Sequence, residues 1–460
     1  MCRASICSLL LVLTACAAPS AEVSEQAERP PNLVLIVTDD QGWWDVGFNG
    51  CTDIPTPNID RIAREGVRFS DGYVTDSVCG PSRAGLITGR YQDRFGASRN
   101  PTIDPSVPDN GVPRTERNLA ELLGPRGYRT MAVGKWHLGT HPDLVPSERG
   151  FDEFYGFLSG GHRYFPEQLT LEDLSEVDQP WAWYRTKLLH NGRRVAIDEY
   201  LTDALTSAAV EFVERTQDSP FFLYLAYNAP HTPLQAPSEY LERFAHIEDE
   251  QRRTYAAMVS AVDDGVGRLL DTLDDHGLAE ETIVVFLSDN GGATNNASIN
   301  RPLRGHKGGL YEGGVRVPFA MRWTDTLPAG LNYESPVISL DIAATIVARA
   351  EAEVPGDKPL DGVDLLPFLT AERAGPPHAA LYWRKFDKGL WAIRSAEEKL
   401  LQEGDGALAL FDLESDLSES RDLSTGDESR VSALQRDYEA WEASMIPPRV
   451  PGLGSWKFGD

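Results

Sequence analysis

The chain has 460 residues, 41% hydrophobic and 25% charged, ordinary proportions for a globular protein and too long for one core of average size. Its 43 basic and 70 acidic residues leave a formal net charge of −27, which argues against nucleic-acid binding because phosphate affinity comes mainly from Lys and Arg. An anionic substrate would have to be drawn by a local basic pocket, against the global field.

The first residues, MCRASICSLLLVLTAC, place Arg3 before a short apolar run, Ile6 to Leu13, too brief to span a bilayer. Leu13-Thr14-Ala15-Cys16 resembles a bacterial lipobox, whose Cys becomes the lipid-bearing first residue of the mature protein. A plain secretory signal cleaved near Ala18 is the alternative. Residues 1–15 are therefore expected to be a signal peptide. Residues 16–30, rich in Ala, Pro, Ser and Glu, are expected to be a lipidated tether. Ala17 after Cys16 favours outer-membrane sorting, so the expectation is an exported bacterial protein, periplasmic or at the cell surface. Its membrane contact would be a lipid on Cys16 and nothing else. Cys2 and Cys7 leave with the signal, and Cys51 and Cys79 are too few for a disulfide framework, with a single Cys51–Cys79 bridge as the alternative to free thiols.

From about residue 32, apolar β-branched runs alternate with amphipathic segments, the pattern of an α/β domain with a mostly parallel central sheet flanked by helices. Strands are expected at Leu33–Thr38, Thr130–Val133, Phe221–Tyr227 and Ile283–Ser288. Helices are expected at Pro57–Gly66, Ser82–Thr88, Glu116–Leu123, Asp198–Thr216 and Arg252–His276, the last two with apolar residues at spacings of three and four. A Gly-Pro-Pro stretch within Glu372–His378 reads as a linker. It divides an expected catalytic domain, residues 31–371, from a smaller C-terminal subdomain, residues 372–460. There, Ala380–Trp383, Leu390–Arg394 and Ala409–Leu413 predict an antiparallel sheet, followed by a helix at Ser432–Met445.

Each of the four strands runs into a polar cluster at its carboxyl end, where open parallel sheets bind ligands. The clusters are Asp39-Asp40, Gly134-Lys135-Trp136-His137, Asn228-Ala229-Pro230-His231 and Asp289-Asn290-Gly291-Gly292. Asp39, Asp40, Asp289 and Asn290 offer only oxygen, which suits a hard cation such as calcium or magnesium. Without a metal the three carboxylates would repel one another. Cys79, just before Pro81 in a helical first turn, would sit where free N–H groups favour negative charge, a good position for a nucleophile attacking an anionic ester.

Cys79-Gly80-Pro81-Ser82-Arg83, with Gly89-Arg90 downstream, resembles the maturation motif of the formylglycine-dependent sulfatases, the arylsulfatase-like branch of the alkaline-phosphatase superfamily. The resemblance extends to Asn32-Leu33-Val34-Leu35-Ile36-Val37-Thr38-Asp39-Asp40, to Gly134-Lys135-Trp136-His137-Leu138-Gly139 and to Lys307 in Gly305-His306-Lys307-Gly308-Gly309. It implies a sulfuric ester hydrolase whose Cys79 is oxidised by a maturation enzyme to formylglycine. It further implies Ca2+ held by Asp39, Asp40, Asp289, Asn290 and the oxygen at position 79. Arg83 would stabilise the hydrated aldehyde, and Lys135 and Lys307 would grip sulfate oxygens. His231, alone or sharing the role with Lys307, would protonate the leaving alcohol, and Asp289 would take the proton of the attacking hydroxyl. His137 would be the base that releases sulfate.

His162, Arg163 and His306 are further candidates for touching the sugar, while surface or loop positions are the simpler reading of both histidines. Trp181 and Trp183 could stack on sugar rings, with core packing as the default. Export together with loop-borne aromatic and basic residues fits a sulfated carbohydrate better than a small aryl sulfate. The competing readings are a formylglycine-dependent phosphonate or phosphodiester hydrolase and a non-catalytic lipoprotein that binds sulfated glycans.

Overall fold

The computed structural model describes residue 1, residues 29–404 and residues 406–451. Cys16, expected to bear a lipid, and the expected signal peptide beyond Met1 lie outside the described residues. Among the described residues, no helix is long and apolar enough to cross a membrane.

Five parallel strands form the centre of a ten-stranded sheet, in the order Thr282–Ser288, Asn32–Thr38, Phe221–Ala226, Arg129–Lys135 and Glu153–Phe157. Their apolar runs are continuous because both faces of the sheet are covered. Val34 and Ile36 pack on one face with Leu205, Phe212, Val262 and Leu269 of the helices Leu201–Arg215 and Glu250–Asp275. Leu33, Leu35 and Val37 pack on the other with Leu86, Ile87, Ile342 and Ile346 of the helices Cys79–Thr88 and Leu340–Arg349. The four strands expected from apolar runs lie within this parallel set, so their carboxyl ends emerge on the same edge.

The sheet grows outward through short strands that the periodicity does not reveal: Phe319–Arg322, Val67–Phe69 and Leu331–Tyr333 on one side, and the hairpin Leu188–His190/Arg193–Val195 on the other. Helix ends follow capping more closely than hydrophobic spacing does. The helix expected from Glu116 begins at Leu119, because Asn118 and Glu121 close a reciprocal capping box. The last helix begins before Ser432, at Glu428, since Asp427 accepts the Arg430 N–H.

The C-terminal sheet has four antiparallel strands, Leu381–Lys385, Leu390–Arg394, Glu398–Glu403 and Ala407–Asp412, backed by the helix Glu428–Glu442. Glu398–Glu403 escaped the sequence reading because its charged ends mask a two-residue apolar centre. Its Lys399 is fully buried between Glu312 and Glu419 at 2.9 and 3.0 Å. This sheet also steadies the chain that enters the Cys79 helix. The Trp383 indole N–H donates to the Val74 carbonyl, and Lys385 holds Asp76, whose carboxylate accepts the Val78 N–H.

Candidate active site

Cys79 is the first residue of a ten-residue helix that is buried throughout. Val78 precedes it in extended conformation, and the second N–H of the helix, on Gly80, donates to the Asn100 side chain at 2.8 Å. Gly89 ends the helix at φ +66°, a left-handed conformation that glycine adopts without steric cost. The Gly-Arg pair thus serves as a helix stop, and Arg90 leaves it toward Glu116. One turn after Cys79, the fully buried Arg83 donates from Nε to Asp289 Oδ2 at 2.8 Å and from Nη1 to the Lys135 carbonyl at 3.2 Å. That ion pair ties the Cys79 helix to two of the strand ends.

The Gly134–His137 segment shows why its pattern matters. Gly134 adopts φ +96°, and a Cβ there would lie 2.0 Å from the Ala226 carbonyl oxygen, so the strand turns where only glycine fits. Beyond it, Trp136 is buried and donates to the Leu144 carbonyl. Lys135 Nζ reaches Asp39 Oδ2 at 2.6 Å. His137 lines the pocket at φ +55°. Asp40 is likewise left-handed, at φ +62°. Two non-glycine residues in this sparsely occupied region, both lining one cavity at the carboxyl edge of the sheet, mark stored strain of the kind that collects at functional sites.

The acidic cluster forms as expected. One oxygen from each of Asp39 and Asp289 lies within 4.8 Å of the other and of Cys79 Sγ, and Asp39 and Asp40 converge similarly with His231. Asn290 donates to Asp40 Oδ1 at 2.8 Å, and Asp40 N–H donates to Asp289 Oδ1 at 3.3 Å. Lys307 Nζ donates to Asp40 Oδ1 at 2.5 Å and stands 3.5 Å from Cys79 Sγ. Asp39 Oδ1 and Asn290 Oδ1 are buried without a hydrogen-bond partner. Two orphaned oxygens among crowded carboxylates fit a hard divalent cation, whose bonds to oxygen would satisfy them.

Burial and mutual charge set the ionisation here. Burial, reinforced by Asp289 and Asp40 and opposed by Lys135, pushes Asp39 up to about 8. Burial would raise Asp40 too, but Lys307, His231 and Lys135 outweigh it and hold that carboxyl well below its ordinary range. Burial raises the Cys79 thiol. His137 is held far below its ordinary value, first by burial and then by Lys135, Arg83 and Lys307, so it is a neutral imidazole. Its Nδ1 has no partner. His231 is lowered to about 4 by burial, with Asp40 pulling the other way. Its Nδ1 lies 2.6 Å from the Thr232 carbonyl, which fixes that nitrogen as the N–H, and leaves Nε2 3.7 Å from Asp40 Oδ2.

Asp40, Cys79, His137, His231 and Lys307 line the floor of a cavity of about 580 Å³, together with Asn100, Ile103, Asn295, Arg163, Trp181, Trp183 and Tyr184. Trp181 is 60% exposed and forms an open wall of the cavity, whereas Trp183, which also borders it, is buried as core packing predicts. Gly160 is required for closeness: a Cβ there would meet Cε1 and Nε2 of His137 at 2.8 Å. Asn100, Tyr184 and Asn295 carry no local sequence signal, because only tertiary contacts bring them here.

Two expectations do not match this geometry. His162 is fully buried, its ring nitrogens 3.0 and 2.8 Å from the carbonyls of Arg163 and Thr186, and it packs on Phe157 outside the cavity lining. It holds its loop and does not face a substrate. His306 is exposed, turned onto the Lys307 carbonyl, and likewise absent from the lining. The Cys51–Cys79 bridge does not form: both are free thiols, and Cys51 Sγ instead lies 3.2 Å from Asp53.

The sulfatase family model matches residues 31–352. The chain is 35% identical over 376 residues to the N-acetylgalactosamine-6-sulfatase of Mus musculus, a match that covers 78% of this chain and 69% of that protein. It is 34% identical over 402 residues to arylsulfatase A of Homo sapiens, covering 81% and 74%. Its structure is similar to that of Ps i-CgsB in complex with k-i-k-neocarrahexaose, with a TM-score of 0.87 and 42% identity over 92% of this chain and 94% of that one.

Proposed function

The chain belongs to the sulfatase family, formylglycine-dependent hydrolases of sulfate esters, and from that premise we propose that it removes sulfate from a sulfated carbohydrate. Cys79, converted to formylglycine by a maturation enzyme, would be the nucleophile. Asp39, Asp40, Asp289 and Asn290 would hold Ca2+ beside it. The observation that carries this reading is that Cys79, Asp40 and Lys307 line the floor of one aromatic-walled cavity, with Asp39, Asp289, Asn290 and Lys135 converging just beneath them. The carbohydrate assignment draws on that wall and on relatives named for N-acetylgalactosamine 6-sulfate and seen with neocarrahexaose.

The bound cation would supply Lewis acidity at the sulfate oxygens and at the nucleophile. The aldehyde of formylglycine, hydrated, would supply the attacking hydroxyl. The chain's own side chains do the rest. Lys307 Nζ, already against Cys79 Sγ, and Lys135 Nζ are positioned to donate to sulfate oxygens and oppose the charge that shifts during S–O cleavage. Arg83 holds Asp289 in place through its ion pair at 2.8 Å, within reach of a proton from the attacking hydroxyl. His137, neutral and with a free Nδ1, is suited to take the proton whose loss releases sulfate.

His231 is the acid that protonates the leaving alcohol at Nε2, the nitrogen turned into the cavity. A neutral imidazole ringed by Lys307 and Lys135 gains affinity for a proton when an anionic ester enters, because the ester offsets the cations that disfavour protonation. Replacing His231 with alanine should therefore slow sugar sulfates, whose alkoxide leaves poorly, at least about tenfold more than aryl sulfates, within the usual range for general acid catalysis. Rates on both substrate types check this, and equal losses would remove His231 from the acid role.

The lipid anchor on Cys16 and export to the cell envelope complete the reading, placing the enzyme where large polysaccharides are met. The direct test of the function is free sulfate released from a panel of sulfated mono-, oligo- and polysaccharides in calcium, by protein co-produced with a maturation enzyme. Sulfate from one sugar class names the substrate. Release of phosphate from phosphonates or phosphodiesters with none from sulfates would replace the reading.

A further inference from the structure

We propose that Arg163 binds a second anionic group of the substrate, a sulfate or carboxylate distinct from the ester that is cleaved. The inference rests on the sulfated-carbohydrate reading above. Arg163 lines the same cavity as Cys79, His137 and Lys307, and among the described residues its guanidinium has no carboxylate, carbonyl or aromatic partner. Among the cations at this cavity that sets Arg163 apart. The other cations at the cavity are spoken for, Lys307 by Asp40 and, just beneath the floor, Lys135 by Asp39 and Arg83 by Asp289. In a chain with 70 acidic and 43 basic residues, a cation in a cleft without a counter-charge is a vacancy for an anion supplied from outside.

The backbone that carries Arg163 is fixed from several directions. Its own N–H donates to the Tyr184 carbonyl at 2.9 Å. The preceding His162 is locked by its ring contacts, and its carbonyl accepts from Asn228 at 3.0 Å. The following Tyr164 donates its hydroxyl to the His231 carbonyl at 2.8 Å. The loop is thereby joined to the residue proposed as the leaving-group acid. A guanidinium carried on a fixed backbone forfeits less conformational entropy on binding than one on a free loop, and its planar fork matches an oxyanion in two parallel hydrogen bonds. His162 and Tyr164 act through the loop as positioning residues.

The geometry therefore points to a substrate with at least two negative groups, one over Cys79 and one at Arg163, and the sugar between them against Trp181 and Tyr184. The test measures kcat and KM by free sulfate for three disaccharides: one monosulfated and otherwise neutral, one disulfated, and one monosulfated with a uronate. Wild type should prefer one or both doubly charged substrates, and which of them it prefers distinguishes sulfate from carboxylate as the second group. Arg163→Ala should lower kcat/KM on the preferred substrate by about tenfold to hundredfold, the range of a charge-assisted hydrogen-bonded pair. The loss should lie mainly in KM, and it should exceed the loss on the monosulfated neutral disaccharide severalfold. Arg163→Lys should recover part of it. Equal losses on all three substrates, or a wild type without preference, would overturn the inference and leave the sulfated-carbohydrate reading standing. No sulfate from any of the three, nor from any sugar of the wider panel, would remove that reading and this one together.

Discussion

Replacing Cys79 with alanine should abolish sulfate release, by at least about 10⁴-fold, as expected when a covalent nucleophile is removed, and should leave the protein folded. The two halves of that expectation rest on different observations. Chemically, alanine cannot be oxidised to an aldehyde, and among the described residues no second thiol lines the cavity. Structurally, Cys79 is only 3% exposed, so it is a buried floor residue and not the surface-facing group its place in a cleft suggests. Its sulfur nevertheless has a single polar contact, the 3.5 Å approach of Lys307, which keeps Asp40 as its partner in the variant. Alanine also suits a helix better than cysteine does. The net cost should stay near the common value of about 1 kcal/mol for a point substitution, and the midpoint of thermal unfolding should move only a few degrees. Sulfate assays and thermal unfolding on the same preparation check both halves. Wild-type protein made without a maturation enzyme should be equally inactive and fail to react with an aldehyde-directed hydrazide. Turnover by Cys79→Ala within tenfold of wild type would sink the mechanism.

Much of this site was legible because the parallel sheet converts sequence order into spatial order. Asp39, Lys135, Asn228 and Asp289 each end an apolar run, and strands paired in parallel must deliver those ends to one edge. The helix after Cys79 could be read as well, from Pro81 in its first turn. What could not be read belongs to tertiary contact. Nothing local separates His162, which packs inward on Phe157, from Arg163 beside it, which lines the cavity. Their difference arises because Thr186 and Asn228, distant in the chain, claim the ring and carbonyl of His162. Asn100 and Tyr184 are silent for that reason as well. The short outer strands were missed because two- to four-residue pairings at a sheet edge carry too little periodicity to register. Glu398–Glu403 was missed because a buried lysine, neutralised by Glu312 and Glu419, reads in sequence as a surface residue.

Removing calcium should cost about a thousandfold or more in turnover, and Asp39→Asn should make that loss permanent. Lewis-acid stabilisation is worth several kcal/mol in the transition state, and each 1.36 kcal/mol is tenfold in rate. Asp39 is the informative ligand. Its Oδ2 already takes the Lys135 ammonium while its Oδ1 is buried and unpartnered, so the carboxylate has one oxygen committed and one to give. Asparagine keeps the shape and an acceptor oxygen and removes the charge on which affinity for a hard cation depends. The substitution also leaves Lys135 buried without its counter-ion, which costs stability by itself. The measurement must therefore separate cation binding from folding. Within each variant, the midpoint of thermal unfolding is compared with calcium present and after chelation, so that the lost Lys135 pairing cancels. A ligand at a hundred times its Kd stabilises the native state by about 2.7 kcal/mol, which wild type should show as a higher midpoint in calcium. Asp39→Asn should show little or none of that shift. Restored activity when calcium is returned to chelated wild type, together with no calcium response in Asp39→Asn, places the cation at this carboxylate. A full calcium-dependent shift in Asp39→Asn would mean that the cation binds elsewhere, and the ligand assignment of all four residues would have to be withdrawn.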